Sequence, residues 1–206
     1  MNNVQNIILS TAYLPPIPYF SFILRGGNIL TEQMESYRKQ SYRNRCHIYS
    51  ANGLLSLNIP VVRHHQGPLP IKEARIDYSY DWQIRHWRAI VSSYKSSAYF
   101  DYYADDFAPF YHNRRETYLL DFNMALMEIL LDLISIRQKI TLTDTYIARY
   151  SSDYLDLREV IDPKKVMPET NCGQYHQVFA HKFGFIGNLS VIDLLFNEGP
   201  SSSSLL

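Results

Sequence analysis

Cysteine is scarce: Cys46 and Cys172 are the only two in 206 residues. They stand too far apart for a disulfide framework or a thiolate zinc motif, so a reduced, cytoplasmic chain is the simplest expectation. An excess of charge is also missing, since 20 Lys and Arg balance 20 Asp and Glu. No overall basic field exists to gather nucleic acid, and no nucleic-acid partner is expected. Long apolar runs are lacking too. None approaches the roughly 20 residues of a membrane span. The opening MNNVQNIILSTAYLPP has no basic segment ahead of its short apolar run, so no signal peptide is expected. Tryptophan occurs twice, against 17 tyrosines. Tyrosine combines apolar area with a hydroxyl, which suits half-buried packing and polar ligands such as sugars.

What is present suffices for one core: 46% of the residues are hydrophobic. The pattern predicts a strand at 6–11, a proline-rich loop, a helix over 19–25 ended by Gly26-Gly27, and a strand over 28–32. CHIYS, Ala51-Asn52-Gly53 and LLSLNIPVV carry the Asn-Gly hairpin signal. IKEARIDY reads as a further alternating strand. Trp82, His86 and Ile90 share a helical face. The stripe Leu119, Leu120, Asn123, Leu126, Met127, Leu130 and Ile134 marks a long helix within 116–136. KITLT reads as a strand. Residues 150–180 read as loop with a short helix, and GNLSVIDLLFNEG as a helix capped by Asn188 or Ser190. The fold expected is α/β (or α+β), one compact domain over 1–200, with a strand-rich first third and helices beyond it. Residues 201–206 are expected to form a disordered serine-rich tail.

Ser10, Thr11 and Tyr13 follow the first strand, where an open α/β sheet places ligands. A helix N-terminus there would offer free N–H groups to a phosphate or carboxylate. Arg43, Arg45 and His47 alternate, as do Asn44 and Cys46, so two arginines on one strand face could clamp an anion. The other reading is a charged edge strand. Cys46 is either a nucleophile or a small buried hydrophobe. His86 is either a general base or a hydrogen-bonded core histidine. Asn123 interrupts its apolar stripe and needs partners. His64-His65 reads as loop, and His176 and His181 miss the one-turn spacing. No metal site is expected, and no cofactor is implied.

Several blocks in order carry a likeness to a known family: YLPPIPYF, the YRNRC hairpin ending in IPV, DW with HWRAIVSSY, and LSVIDLLFNEG. On these the chain resembles the WbqC-like family of bacterial proteins. The resemblance implies a place in O-antigen or other surface-polysaccharide biosynthesis. It implies an aminoacyl (glycine) transferase, here taken to act on an amino sugar, and the loop and arginines add an anionic small-molecule substrate or activated donor bearing a phosphate or carboxylate. Under that reading His86 is the catalytic base, and Ser10, Thr11, Tyr13, Arg43, Asn44 and Arg45 bind the substrate. A non-catalytic binding or scaffold protein of a glycan or envelope pathway is the alternative. Ser10-Thr11 stand where the family's opening block carries His-Gln, Pro16 where it carries Trp, and Pro18 where it carries Gly.

Overall fold

The computed structural model describes residues 6–63, 67–114, 116–169 and 172–206. His64-His65 and residues 170–171 of the expected 150–180 loop therefore lie outside the described residues.

Apolar residues of the first strand, β1 (Asn6–Ser10), are buried on both faces, as a central parallel strand requires. Helix α1 (Ile17–Arg25) carries the chain to β2 (Ile29–Glu32), which pairs with β1 in parallel. This right-sized strand–helix–strand unit seeds a four-stranded sheet. Its remaining strands are β5 (Ile140–Leu142) beside β2 and β6 (Tyr154–Asp156) beside β1, giving the order β5-β2-β1-β6, all parallel. A separate antiparallel hairpin joins β3 (Arg45–Ser50) to β4 (Gly53–Asn58). Gly53 supplies the positive φ of +91° at its turn.

Four further helices complete the core: α2 (Trp82–Tyr94), α3 (Phe100–His112), α4 (Leu119–Leu133) and α6 (Val191–Glu198). The apolar face of α4 is buried as its stripe predicts, including Leu119, Phe122, Leu126 and Leu130. Ser190 caps α6, accepting weakly from Ile192 N–H at 3.5 Å. The short α5 (Ala180–Phe183) lies in the segment leading to it.

Three expectations are corrected. IKEARIDY forms a 3₁₀ turn at Ile71–Glu73 followed by isolated bridges at Arg75 and Ile76, not a strand. Residues 154–156 form a sheet strand within what read as loop. The serine-rich end is not a loose tail: a 3₁₀ turn, Gly199–Ser201, leads into α7 (Ser202–Leu205), Ser202 is fully buried, and its Oγ donates to Gly199 C=O at 2.7 Å. α3 has no counterpart among the expected elements.

Gly199 holds this corner. Its φ is +55°, and a Cβ there would lie 2.5 Å from Tyr99 Cδ1. Gly199→Ala combines left-handed strain with a ring clash, so it should cost about 2–4 kcal/mol. Urea denaturation checks this; a loss below about 1 kcal/mol would contradict the packing described.

Candidate functional site

The proline-rich loop after β1 is fixed from both sides. Tyr13 N–H donates to Tyr42 C=O at 2.8 Å, and Val191 N–H to Pro15 C=O at 2.8 Å. Leu14 is fully buried with φ +40°, a strained backbone that only such over-determination maintains. The expected anion cradle at the start of α1 is not there. Ile17 N–H is taken by Leu189 C=O, Pro18 has no N–H, and Tyr19 N–H is taken by Pro16 C=O. The prolines lock a corner; they do not open a helix terminus.

Polar chemistry gathers instead where the parallel strands end. Ser10 ends β1, Glu32 ends β2, Thr143 follows β5, and Asp156 ends β6. Successive connections run from β1 outward to β2 and β5, then return to β6 on the other side of β1. The order therefore reverses beside β1, and ligands of open α/β sheets bind outside the carboxyl ends at such a point.

Two buried arginines organise this edge. Arg43 Nε donates to Glu35 Oε1 at 2.8 Å, and its Nη2 donates to Glu35 Oε2 at 2.5 Å and Ser10 Oγ at 2.7 Å. Ser10 Oγ in turn donates to Glu35 Oε2 at 3.2 Å. Arg158 binds Asp156 through Nε at 2.9 Å and Nη2 at 2.5 Å, and Glu32 through Nη1 at 3.3 Å. Thr143 Oγ1 completes Glu32 at 2.7 Å. Burial pushes the Asp156 carboxyl up, but the hydrogen bonds and charge of Arg158 outweigh it and hold the group below its usual range. The Tyr146 and Tyr150 rings lie 5.4 and 5.1 Å from the Arg158 guanidinium carbon.

Asn123 reaches this network from α4. Its amide donates to Thr11 Oγ1 at 3.2 Å and to Arg43 C=O at 2.8 Å. Asn44 Nδ2 donates to Ile59 C=O at 2.9 Å. The Oδ1 atoms of both asparagines are buried and have no hydrogen-bond partner among the described residues. A buried acceptor left open is a place for a donor from water or ligand.

Two hollows meet the constellation. One, between the ends of β1 and β6, is lined by Ser10, Thr11, Tyr42, Arg43, Leu157 and Ile161 and has about 10 Å³, room for one water. The other has about 300 Å³ and is lined by Met34, Glu35, Ser36, Arg38, Tyr146 and Glu159. An Arg38–Glu159 ion pair joins its two walls. Glu35 thus pairs with the buried arginine and also lines the second cavity.

The residues singled out in the sequence separate into three places. Ser10, Thr11 and Arg43 lie at the sheet edge. Arg45 does not join them: β3 begins at Arg45, Arg43 precedes it, and Arg45 Nε binds Asn58 Oδ1 across the hairpin at 2.7 Å. His86 and Tyr13 lie in the core. Tyr13 OH bridges His86 Nδ1 and Tyr111 OH, each at 2.9 Å. Burial lowers His86 to about 4, against a hydrogen bond to the Asn58 backbone. Cys46 is fully buried, and burial pushes its thiol up, the environment of a small hydrophobe.

Asp193 forms a second buried polar centre. Tyr94 OH at 2.8 Å, Tyr175 OH at 2.6 Å and Gln177 Nε2 at 3.0 Å all donate to it. These donors are neutral, so burial wins and raises the carboxyl to about 6. Asp193 therefore stabilises the fold below pH 4 and loses that contribution as pH rises through 6. His86 does the reverse, losing its contribution as pH falls from 6.5 through 4. Each effect is on the order of 3 kcal/mol and they oppose. His86→Gln should therefore leave stability rising on acidification from pH 6.5 to 4, and Asp193→Asn should leave it falling. Equal slopes in both variants, measured by urea titration, would contradict these environments.

The fold and this edge define an open parallel α/β protein with a polar crevice at its topological switch point. The chain belongs to the WbqC-like protein family, whose model matches residues 11–172. It is also similar to the uncharacterized protein Rv1507c of Mycobacterium tuberculosis, with 27% identity over 229 residues, covering 97% of this chain and 96% of that protein. No solved structure matches significantly. Among the described residues, no helix is long and apolar enough to cross a membrane.

Glu32, Glu35, Asp156 and Arg158 were not singled out in the sequence. The readable signal was a polar residue closing each apolar strand, as Glu32 closes Ile29–Thr31.

Proposed function

We propose that the protein is a group-transfer enzyme of bacterial surface-polysaccharide assembly, moving an aminoacyl group such as glycine onto an amino sugar at the carboxyl edge of its sheet. One observation carries the reading: Ser10, Arg43 and Glu35 interlock beside the point where strand order reverses, and Glu35 also lines a cavity of about 300 Å³. The resemblance to the WbqC-like family supplies the glycan setting and the form of the reaction.

In this reading the acceptor amine attacks the acyl carbon of an activated donor. The new C–N bond forms, the bond to the leaving group breaks, and the leaving group takes the electron pair. Glu35 accepts the amine proton, while Arg43 and Ser10 hold its carboxylate. His86 is a positioning residue that holds Tyr13 under the opening loop.

A binding or scaffold role in the same pathway is the second reading. It is favoured by the pairing of both arginines with carboxylates, which leaves their charges already satisfied. Purified chain incubated with an aminoacyl thioester and an amino sugar separates the two. Mass-detected amide product that requires the protein supports transfer. Stabilisation by these compounds without product supports the binding role.

A further inference from the structure

A different groove lies across the loop that carries Glu35. Residues 33–39 run between two hollows. Glu35, Ser36 and Arg38 line the sheet-edge cavity, whereas Tyr37 and Lys39 face away into a hollow of about 670 Å³. That hollow adjoins another of about 400 Å³, with which it shares Val62, Arg63 and Leu69. Both volumes fall in the range of small-molecule sites.

Charge in the groove is one-sided. Among the described residues that line it, Lys39, Arg63 and Arg75 stand against the single carboxylate of Glu73. Arg75 is pre-oriented, its guanidinium carbon 5.5 Å from the Tyr118 ring centroid and its Nη2 3.4 Å from Tyr118 OH. Apolar surface accompanies the charge: Val62 remains 46% exposed beside Leu69 and Tyr37. The walls are tied by backbone bonds, from Tyr37 N–H to Leu69 C=O at 2.7 Å and from Val62 N–H to Arg75 C=O at 2.9 Å.

We infer that this groove binds a phosphorylated small molecule. Its phosphate is held by Arg63 and Arg75 with Lys39, and its less polar body lies on Val62, Leu69 and Tyr37. Guanidinium forks match phosphate geometry, and the stacked Arg75 loses little freedom on binding. The site requires no chemistry at Glu35 and stands apart from the transferase reading.

The experiment is calorimetric titration of the full chain with inorganic pyrophosphate and with uridine diphosphate at low salt. Saturable binding at one site per chain is expected for uridine diphosphate. Arg63→Ala and Arg75→Ala should each weaken it by about tenfold or more. Arg85→Ala with Arg88→Ala, on the exposed face of α2 and lining neither hollow, should leave it unchanged. Transfer at the sheet edge is read by amide product and this site by nucleotide binding alone, so failure here and failure there are distinguishable. The inference is overturned if neither probe binds, if the groove variants bind undiminished, or if the α2 variant loses as much as they do.

Discussion

Arg43→Ala is expected to destabilise the fold by about 3–5 kcal/mol, because it strands the Glu35 carboxylate in the interior without its cation. The Arg43 and Glu35 side chains are only 2% and 8% exposed, and three hydrogen bonds run from Arg43 to Glu35 and Ser10. For a chain of this size, that loss corresponds to a fall in Tm of roughly 6–20 °C. Arg45→Ala is the contrast. Its bond to Asn58 lies at the surface, so the loss should stay below about 1 kcal/mol. Chemical denaturation of both variants measures the difference. Equal effects would mean that the buried pair does not organise the sheet edge.

Glu35→Gln is expected to lower aminoacyl transfer by about 10²- to 10⁴-fold, the range for loss of a general base. The amide cannot take the acceptor's proton, although it keeps one oxygen for Arg43. It also leaves Arg43 without a countercharge, so assays belong well below the variant's Tm. Glu35→Asp retains the charge but withdraws the carboxylate by about one bond, and a misplacement near 1 Å is worth about 10²-fold. Its pair with Arg43 should survive in part. Steady-state rates for the two variants therefore separate a base from a structural anchor. An anchor predicts that Asp restores both stability and rate, and a base predicts that stability recovers more than rate.

Local patterns were legible and long-range partnerships were not. The strand–loop–helix opening, the Asn-Gly hairpin and α4 each declare themselves within about 20 residues, and the structure forms all three. The sheet edge closes over much greater separations: Ser10 Oγ meets Arg158 C=O 148 residues later, and Glu32 meets Arg158 after 126. β6 has three residues, too few for any period to show. Alternation misled at IKEARIDY, where only isolated bridges form, and at Arg43, which precedes the strand it was assigned to. Composition misled at the C-terminal serines, because Ser202 finds a carbonyl partner and packs in the core. The proline-rich loop drew attention correctly as a constrained element, but its prolines fix a corner and the charged chemistry comes from strand ends elsewhere.

The central claim is that substrate is received at the edge formed by Ser10, Glu35 and Arg43. Thermal stabilisation of the parent chain and of Ser10→Ala by aminoacyl thioesters, aminoacyl phosphates and amino sugars tests it most directly. Ser10→Ala removes one hydroxyl and should cost only about 1–2 kcal/mol by itself. A ligand at about a hundred times its Kd stabilises by about 2.7 kcal/mol, a shift readily seen in a melt. The account predicts a ligand that raises the Tm of the parent and shifts Ser10→Ala far less. Equal shifts in both proteins, or no shift from any of these compounds, would contradict it.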